Sequence, residues 1–289
     1  MTGPDEVSEL VAAHGYRPGR VVLVGGGLDN VAYEVDGELI VRFRTEPDPA
    51  TRAERTEREA RVLAAVAQVS PVPVPRPVFA VPGRGCLAYR RLPGVPLLDV
   101  PTDQRSARGP AVAATLGGLL TALHAVPVPR MAELVDTDDT PLSEWRDEAA
   151  GTYPAIAERV PAAHRPAIEA FLAAPPPPAR YTPVFSHNDL GIEHVLVDPA
   201  DGRVTGVIDW SDAAVVDPAA DFGRLHRDLG PAATRAAVAA YRGDLAGLRE
   251  RAVFYARCGV VEDLAYGLDT GQDRYVAKCL VSMAWLFPA

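Results

Sequence analysis

The hydrophobic pattern of this chain changes once, near residue 92, and that change limits the fold more than any other feature of the sequence. Before it, short apolar runs alternate with turn residues, as they do in antiparallel strands. After it, long Ala- and Leu-rich stretches carry apolar residues at helical spacing. The pattern predicts an α+β protein with two lobes, a strand-rich lobe over residues 1–92 and a mainly helical lobe over residues 93–289.

The first lobe is predicted to contain a small antiparallel sheet. Its leading strand candidates are RVVLVGG (20–26), NVAYEVDG (30–37) and ELIVRFR (38–44). Asp36-Gly37 is a two-residue hairpin signal between the last two of these runs. The segment CLAYRRLPGVPL (86–97) is predicted to be one more strand that runs into a Pro-Gly turn.

One helix accompanies this sheet in the prediction. Pro49 stands near the start of a charged stretch whose apolar residues Val62, Leu63, Val66 and Val69 follow helical spacing. The proline-rich segment SPVPVPRPVFAV (70–81) comes next, and proline donates no backbone hydrogen bond. We therefore predict that this segment is a connector along the edge of the sheet.

The second lobe is predicted to be helical, with a few short strands in its middle. Residues 106–126 form one helix pattern and residues 153–173 another, and AAPPPPAR (173–180) interrupts the chain. Short strands are then predicted in YTPVFS, HVLVD and RVTGVID. From Pro218 onward the pattern is helical again, with breaks at Gly230-Pro231, Gly243 and Gly271.

Composition and charge exclude several classes of protein. Lys plus Arg total 29 against 38 Asp plus Glu, a net charge of -9, which argues against a protein that binds nucleic acid through its phosphates. No long apolar run is present and the first residues are acidic, so we expect a cytoplasmic protein without a membrane segment. Three scattered cysteines predict neither a zinc ribbon nor a disulfide framework. Lys278 is the only lysine.

Two acid-rich stretches carry the chemistry, SHNDLGIEHVLVD (186–198) and GVIDWSDAAVVDP (206–218). They supply Asp189, His194 and Asp209 in the order of a catalytic carboxylate, a metal ligand and a second metal-binding carboxylate. Such a set can move a phosphoryl group onto an alcohol. A metal-dependent hydrolase that also uses His187 is an alternative from another class.

The residues HNDLGIEHVLVD and GVIDWSDAAVVDPAADF resemble the aminoglycoside phosphotransferase family, and most closely its branch that phosphorylates the 2''-hydroxyl. The resemblance implies a protein-kinase-like two-lobed fold. It implies that Asp189 is the catalytic base or hydroxyl-orienting residue and that His194 and Asp209 bind Mg²⁺. It further implies that Asp221 supports the catalytic loop from below, and His187 is expected to be a buried scaffold residue.

The same resemblance implies ATP or GTP as phosphoryl donor. VGGGLDNVAYEVDG occupies the place of the phosphate-covering hairpin, and LIVRFR that of the strand whose lysine grips the phosphates. Arg42 stands in the place of that lysine, with Glu59 as its ion-pair partner. The implied nucleotide-binding residues are Gly26, Gly27, Asn30, Arg42, Glu59, Arg90, Arg91 and Leu92. The missing lysine also leaves open a non-catalytic nucleotide-binding regulator.

The predicted substrate is the hydroxyl of a small cationic molecule, such as an aminoglycoside antibiotic, bound by a monomer. The candidate substrate residues are Asp212, Asp228, Glu262 and Asp263. However, GRLHRDLG (223–230) places two arginines in the predicted substrate wall, where the resembling branch is densely acidic. A macrolide or another metabolite alcohol therefore stays open as the substrate.

Overall fold

The computed structural model describes residues 3–26 and 30–288. Its helices are α1 (Pro4–Ala13), α2 (Pro49–Val69), α3 (Thr102–His124), α4 (Val128–Met131), α5 (Leu142–Ile156), α6 (Arg165–Ala173), α7 (Ala219–Ala240), α8 (Leu248–Asp269) and α9 (Asp273–Leu286). Its strands are β1 (Val21–Gly26), β2 (Asn30–Val35), β3 (Leu39–Arg44), β4 (Pro77–Val81), β5 (Cys86–Arg90), β6 (Val95–Pro96), β7 (Val184–Ser186), β8 (Val195–Val197), β9 (Val204–Val207) and β10 (Ala214–Val216).

The chain divides into two compact units. The first comprises Met1–Pro93 together with Gly206–Ser211, and the second comprises Gly94–Thr205 together with Asp212–Ala289. The segment Gly206–Ser211 is joined to the first unit by a hydrogen bond of 3.0 Å from Val207 N to Pro73 O. The lobe boundary predicted from the sequence leaves residues 206–211 in the helical lobe. The residue pattern of this segment does not indicate that it contacts Pro73, which is more than 130 residues away.

The first unit is built on a five-stranded antiparallel sheet in the order β1-β2-β3-β5-β4. Successive side chains on a strand point to opposite faces, and β3 shows the consequence. Leu39, Val41 and Phe43 are buried in a core that includes Val7 and Val11 of α1. The alternate residues of β3 therefore face away from α1.

The edge of this sheet corrects one prediction. Residues 70–81 were expected to be a connector throughout, but Pro77–Val81 is the edge strand β4, paired with β5. Proline is tolerated at the first residue of an edge strand because its missing N–H is not needed there. The hairpin between β2 and β3 also differs, since Val35 pairs with Leu39 and three residues, not two, make the turn.

Closely packed helices form most of the second unit. Gly117 of α3 is so near α7 that an added Cβ would lie 2.2 Å from Ala237 O, and Gly223 of α7 would place a Cβ 2.7 Å from Tyr255 Cβ of α8. Glycine at these two positions allows the helices to approach. Gly230, with φ of 78°, kinks α7 immediately before Pro231, where the sequence predicted a break.

The predicted helix over residues 153–173 is wrong as a single element. Helix α5 ends at Ile156 and α6 begins at Arg165, with a short 3₁₀ turn over Ala157–Arg159 between them. Pro161 lies in the gap, and a proline disfavours helical backbone at the residue before it. The prediction for residues 106–126 is confirmed by α3.

The remaining strands form two small sheets, one with the order β6-β8-β9 and one that pairs β7 with β10. In the second of these, Ser186 is opposite Ala214. The segment that follows β7 carries the first acid-rich motif. Within residues 3–26 and 30–288, no helix is both long and apolar enough to span a bilayer.

Candidate active site

The loop after β7 is anchored by the buried carboxylate of Asp221, in the first turn of α7. Asp221 Oδ2 accepts hydrogen bonds from Ser186 Oγ at 2.6 Å and from Asn188 N at 3.0 Å, and Oδ1 accepts one from Leu190 N at 3.0 Å. Asn188 has a φ of 63°, which asparagine tolerates better than most residues. These bonds confirm the predicted support of the loop by Asp221.

A neutral histidine braces the same loop from α3. His124 Nε2 is 2.9 Å from Ser186 Oγ, and His124 Nδ1 is 2.7 Å from Tyr241 OH. Burial lowers the pKa of His124 to about 4, although the charge of Asp221 opposes the shift. No local pattern marks His124 as part of this site, because its partners lie 62 and 117 residues away in the chain.

Asp189 is the side chain that this loop presents. Its Oδ1 accepts a hydrogen bond from Arg224 Nε at 3.1 Å, and its Oδ2 lies 3.3 Å from His194 Nδ1. Burial alone would raise the pKa of Asp189, but the charge of Arg224 outweighs it, the neighbouring imidazoles of His194 and His187 act in the same direction, and the pKa is lowered to about 2. Asp189 is therefore an ionised carboxylate at neutral pH.

His194 has a defined tautomer. Its Nδ1 lies 2.8 Å from the backbone carbonyl oxygen of Asp189, so Nδ1 carries the proton and donates it. In the neutral ring Nε2 then holds the lone pair that a metal ligand needs. His187 is fully buried, and its Nδ1 accepts a hydrogen bond of 3.2 Å from Asp189 N, which confirms a scaffold role for it.

Asp209 belongs to the first unit. Its backbone has a φ of 62°, its side chain is 36% exposed, and its Oδ1 lies 2.9 Å from Ser211 Oγ and 3.4 Å from Arg42 Nη2. A partly exposed carboxylate suits a hard ion such as Mg²⁺. No group of three or more His, Cys, Asp or Glu residues that could hold a metal ion occurs in the described parts of the chain.

Glu59 is shared by two arginines of β3. Arg42 Nη1 lies 2.8 Å from Glu59 Oε1, and Arg44 Nη2 lies 2.7 Å from Glu59 Oε2. The two arginines are two residues apart on a strand, so both project from the face opposite the α1 core. The structure brings Arg42 and Glu59 together as the sequence predicted. Arg44 was missed, although its spacing from Arg42 was a usable signal.

The other residues predicted to bind nucleotide differ in their position and in whether their polar groups already have partners. Gly26 ends β1 and Asn30 begins β2, while Gly27 lies outside the described residues. Arg91 N already donates to Glu38 O at 2.8 Å, and the Arg91 side chain pairs with Glu34 at 2.9 Å. Arg90 closes β5 and Leu92 is half-buried.

The four predicted substrate acids fall into distinct environments. Asp212 is exposed, and Glu262 has a buried Oε1 with no hydrogen-bond partner among the described residues. Burial, then the charges of Glu148 and Asp263, raise the pKa of Glu262. Asp263 Oδ2 lies 3.1 Å from Arg227 Nη1 and 2.9 Å from Lys278 Nζ, as ion pairs without hydrogen-bond alignment.

Asp228 does not offer a carboxylate to a substrate in this structure. Its side chain is 1% exposed, and its oxygens accept from Arg227 Nε at 2.7 Å and from Ile192 N at 3.3 Å. Lys278 Nζ is a further 3.5 Å from Asp228 Oδ1. We therefore remove Asp228 from the substrate residues and regard it as part of a buried charge cluster, because its oxygens are already used.

A cavity of about 140 Å³ adjoins the carboxylate of Asp189 within the second unit. Its polar wall includes Asp189, Arg224, Glu262 and Asp263, and its apolar wall includes Trp145 and Tyr255. The two aromatic rings meet edge to face, with centroids 5.4 Å apart. The cavity therefore combines a reactive carboxylate, charges of both signs and an aromatic surface.

These features define the class of the protein as a kinase-like phosphotransferase. They are a small antiparallel sheet with one long helix, and a mainly helical unit that carries the loop with Asp189. The chain belongs to the phosphotransferase enzyme family, whose model matches residues 20–254. It is 30% identical over 199 residues to viomycin phosphotransferase from Streptomyces vinaceus. This alignment covers 63% of this chain and 68% of that protein.

Solved structures agree on the fold. Macrolide 2'-phosphotransferase MphH from Brachybacterium faecium is 28% identical, with a TM-score of 0.67 over 99% of this chain and 98% of that one. An APH(2'') enzyme in complex with GDP and kanamycin has a TM-score of 0.69 over 96% of each chain at 21% identity. The predicted family and fold class are thereby confirmed.

Proposed function

We propose that this protein transfers the γ-phosphoryl group of ATP or GTP to a hydroxyl of a small antibiotic. The observation that carries the proposal is Asp189, an ionised carboxylate on a loop fixed by Asp221 and facing a cavity of about 140 Å³. Membership of the phosphotransferase enzyme family supports the same reaction.

Asp189 orients the acceptor hydroxyl in this proposal. A carboxylate with a pKa near 2 is a weak base. It can therefore accept a hydrogen bond from the acceptor hydroxyl, but it is too weakly basic to remove the hydroxyl proton fully before the transfer. Phosphoryl transfer tolerates this because its transition state is loose and catalysis depends on position and charge. A fixed carboxylate supplies that position at little entropic cost.

We infer that Mg²⁺ would be held by His194 Nε2 and the Asp209 carboxylate, with phosphate oxygens completing its shell. When bound, the ion neutralises charge on the phosphates. Arg42, braced by Glu59, would grip the phosphates through its planar fork. Gly26, Gly27 and Asn30 would cover them, and the backbone near Arg90 and Leu92 would receive the base.

The acceptor is proposed to carry at least one cationic group. The unpartnered Oε1 of Glu262 lies in the wall of the Asp189 cavity, and an ammonium group there would satisfy it. Asp212 and Asp263 could add further attraction. Viomycin and kanamycin, named for the relatives, are the first candidates and a macrolide is the third.

We also propose that the enzyme works as a monomer in the cytoplasm. Its three cysteines, Cys86, Cys258 and Cys279, are buried free thiols, which suits a reducing compartment. The monomeric state is an expectation for which sedimentation of the purified protein is the direct test.

A screen of the purified protein with Mg²⁺, each nucleotide and each of the three antibiotics tests the proposed function. We expect phosphorylated product, detected by mass spectrometry, with at least one acceptor. Asp201→Asn is the matched control for removal of an acid, because this exposed carboxylate binds Arg203, through its backbone N and its side chain, and does not line the Asp189 cavity. Absence of product in every combination contradicts the proposal.

A further inference from the structure

We propose that Arg224 both positions the catalytic carboxylate of Asp189 and binds an oxygen of the acceptor beside the reacting hydroxyl. The inference rests on the proposed function and deepens it, because it defines the acceptor. That acceptor is an alcohol with a carbonyl, ether or carboxylate oxygen near its reactive hydroxyl and a cationic group farther away.

The first observation is the place of Arg224 on α7. It follows Asp221 by three residues, so the two side chains project from the same face of the helix. Asp221 binds the backbone of the catalytic loop, at Asn188 N and Leu190 N, while Arg224 Nε binds the Asp189 side chain at 3.1 Å. One turn of one helix therefore fixes both the loop and its carboxylate.

The second observation separates Arg224 from its neighbour Arg227. All three guanidinium nitrogens of Arg227 have carboxylate partners. Nε lies 2.7 Å from Asp228 Oδ1, Nη2 lies 3.0 Å from Asp228 Oδ2 and Nη1 lies 3.1 Å from Asp263 Oδ2. Among residues 3–26 and 30–288, the Arg224 side chain makes a single hydrogen bond, through Nε. Its Nη1 and Nη2 have no hydrogen-bond partner within the part of the chain that the structure describes, and its side chain is 18% exposed.

The third observation is what those nitrogens face. Arg224 lines the same cavity as Asp189 and Glu262. A guanidinium whose Nε is bound keeps two outer nitrogens as donors in a fixed plane, suited to an oxygen acceptor. Beside the Asp189 carboxylate, Arg224 therefore supplies cationic donors, and Glu262 supplies an unpartnered carboxylate oxygen in the same cavity.

This arrangement selects against one type of acceptor. An ammonium group placed against the outer nitrogens of Arg224 would meet a like charge in a partly buried site, where repulsion is strong. An oxygen in that place would instead receive a charge-assisted hydrogen bond. The cation of the acceptor then belongs toward Glu262.

The test compares Arg224→Met and Arg224→Lys with the parent enzyme, using viomycin, kanamycin or a macrolide, whichever the parent phosphorylates. We expect Arg224→Met to lower kcat by about 100-fold, because Asp189 loses its position. Its KM for the acceptor should rise roughly tenfold or more, because a hydrogen bond from a charged donor is lost.

Arg224→Lys separates the two roles. One ammonium can pair with Asp189 but cannot also serve the acceptor, since it lacks the planar fork. We expect kcat to return to within about tenfold of the parent while the acceptor KM stays raised. Arg235→Met is the matched control, an exposed arginine on the same helix, and should leave both constants unchanged.

Each outcome decides part of the proposal. An unchanged kcat in folded Arg224→Met overturns the positioning role, and a parent-like KM in Arg224→Lys overturns the acceptor contact. A parent that phosphorylates none of the three antibiotics contradicts the proposed substrate class instead. In that case the slow hydrolysis of the nucleotide by water tests the positioning of Asp189. Arg224→Met should lower the rate of hydrolysis, as Asp189→Asn should. Equal rates in the parent and in Arg224→Met overturn the positioning role.

Discussion

At the scale of single residues, arginine pairs with the carboxylates of Glu59 and Asp189, two of the predicted site residues. Glu59 holds Arg42 and Arg44 at 2.8 and 2.7 Å, and Asp189 holds Arg224 at 3.1 Å. Arginine can satisfy a carboxylate and keep donors for a second partner, which an ammonium does less well. The sole lysine, Lys278, is 2% exposed and pairs with Glu193, Asp228 and Asp263.

The nucleotide clamp can be tested at Arg42. Arg42→Ala should weaken nucleotide binding and lower turnover, because a phosphate contact is lost, while Arg42→Lys should keep part of both. Isothermal titration calorimetry with ATP and GTP measures the binding. Arg61→Ala, an exposed arginine on the same helix as Glu59, is the control. Parent-like binding in Arg42→Ala would place the clamp elsewhere.

Lys278 should be a stability residue and not a nucleotide ligand. Lys278→Met leaves the buried carboxylate of Asp228 and the partly buried Glu193 and Asp263 short of a counter-charge. Breaking a buried ion pair costs about 3 to 5 kcal/mol. Urea denaturation should show a loss of that order, with the Kd for nucleotide unchanged. A stable variant with weakened nucleotide binding would refute this assignment.

At the scale of elements, α7 is the organiser of the second unit. It packs against α3 through Gly117 and against α8 through Gly223, and its first turns carry Asp221 and Arg224. The close helix approach and the catalytic loop are thereby coupled to the same element. A shift of α7 would therefore disturb the hydrogen bonds that hold the loop and Asp189.

Two adjacent glycines of α3 give a matched test of this packing. In Gly117→Ala the new Cβ would lie 2.2 Å from Ala237 O, which is backbone and cannot yield cheaply, so stability should fall by about 1 to 3 kcal/mol. In Gly118→Ala the Cβ meets nothing within 4 Å, so stability should rise by up to about 1 kcal/mol through helix propensity. Thermal unfolding of both variants checks the signs, and equal effects would contradict the packing.

At the scale of the whole molecule, local patterns predicted most elements and the motif residues. The stretch HNDLGIEHVLVD identified Asp189 and His194 because the motif is continuous in sequence. Arg224 is 35 residues from Asp189, and no pattern distinguishes it from Arg227. Gly206–Ser211 joins the first unit through contacts that a local pattern cannot encode. The sequence could not predict contacts between distant segments where no motif marks the two residues that meet.

The central claim is that Asp189 orients the acceptor for phosphoryl transfer, and the rate of that transfer in Asp189→Asn tests it most directly. Asparagine keeps the size of the side chain but loses the charge and one acceptor oxygen. With an acceptor that the parent uses, we expect transfer of the labelled γ-phosphoryl group to fall by several orders of magnitude while the Kd for nucleotide stays at the parent value. Near-parent transfer by folded Asp189→Asn would contradict the account.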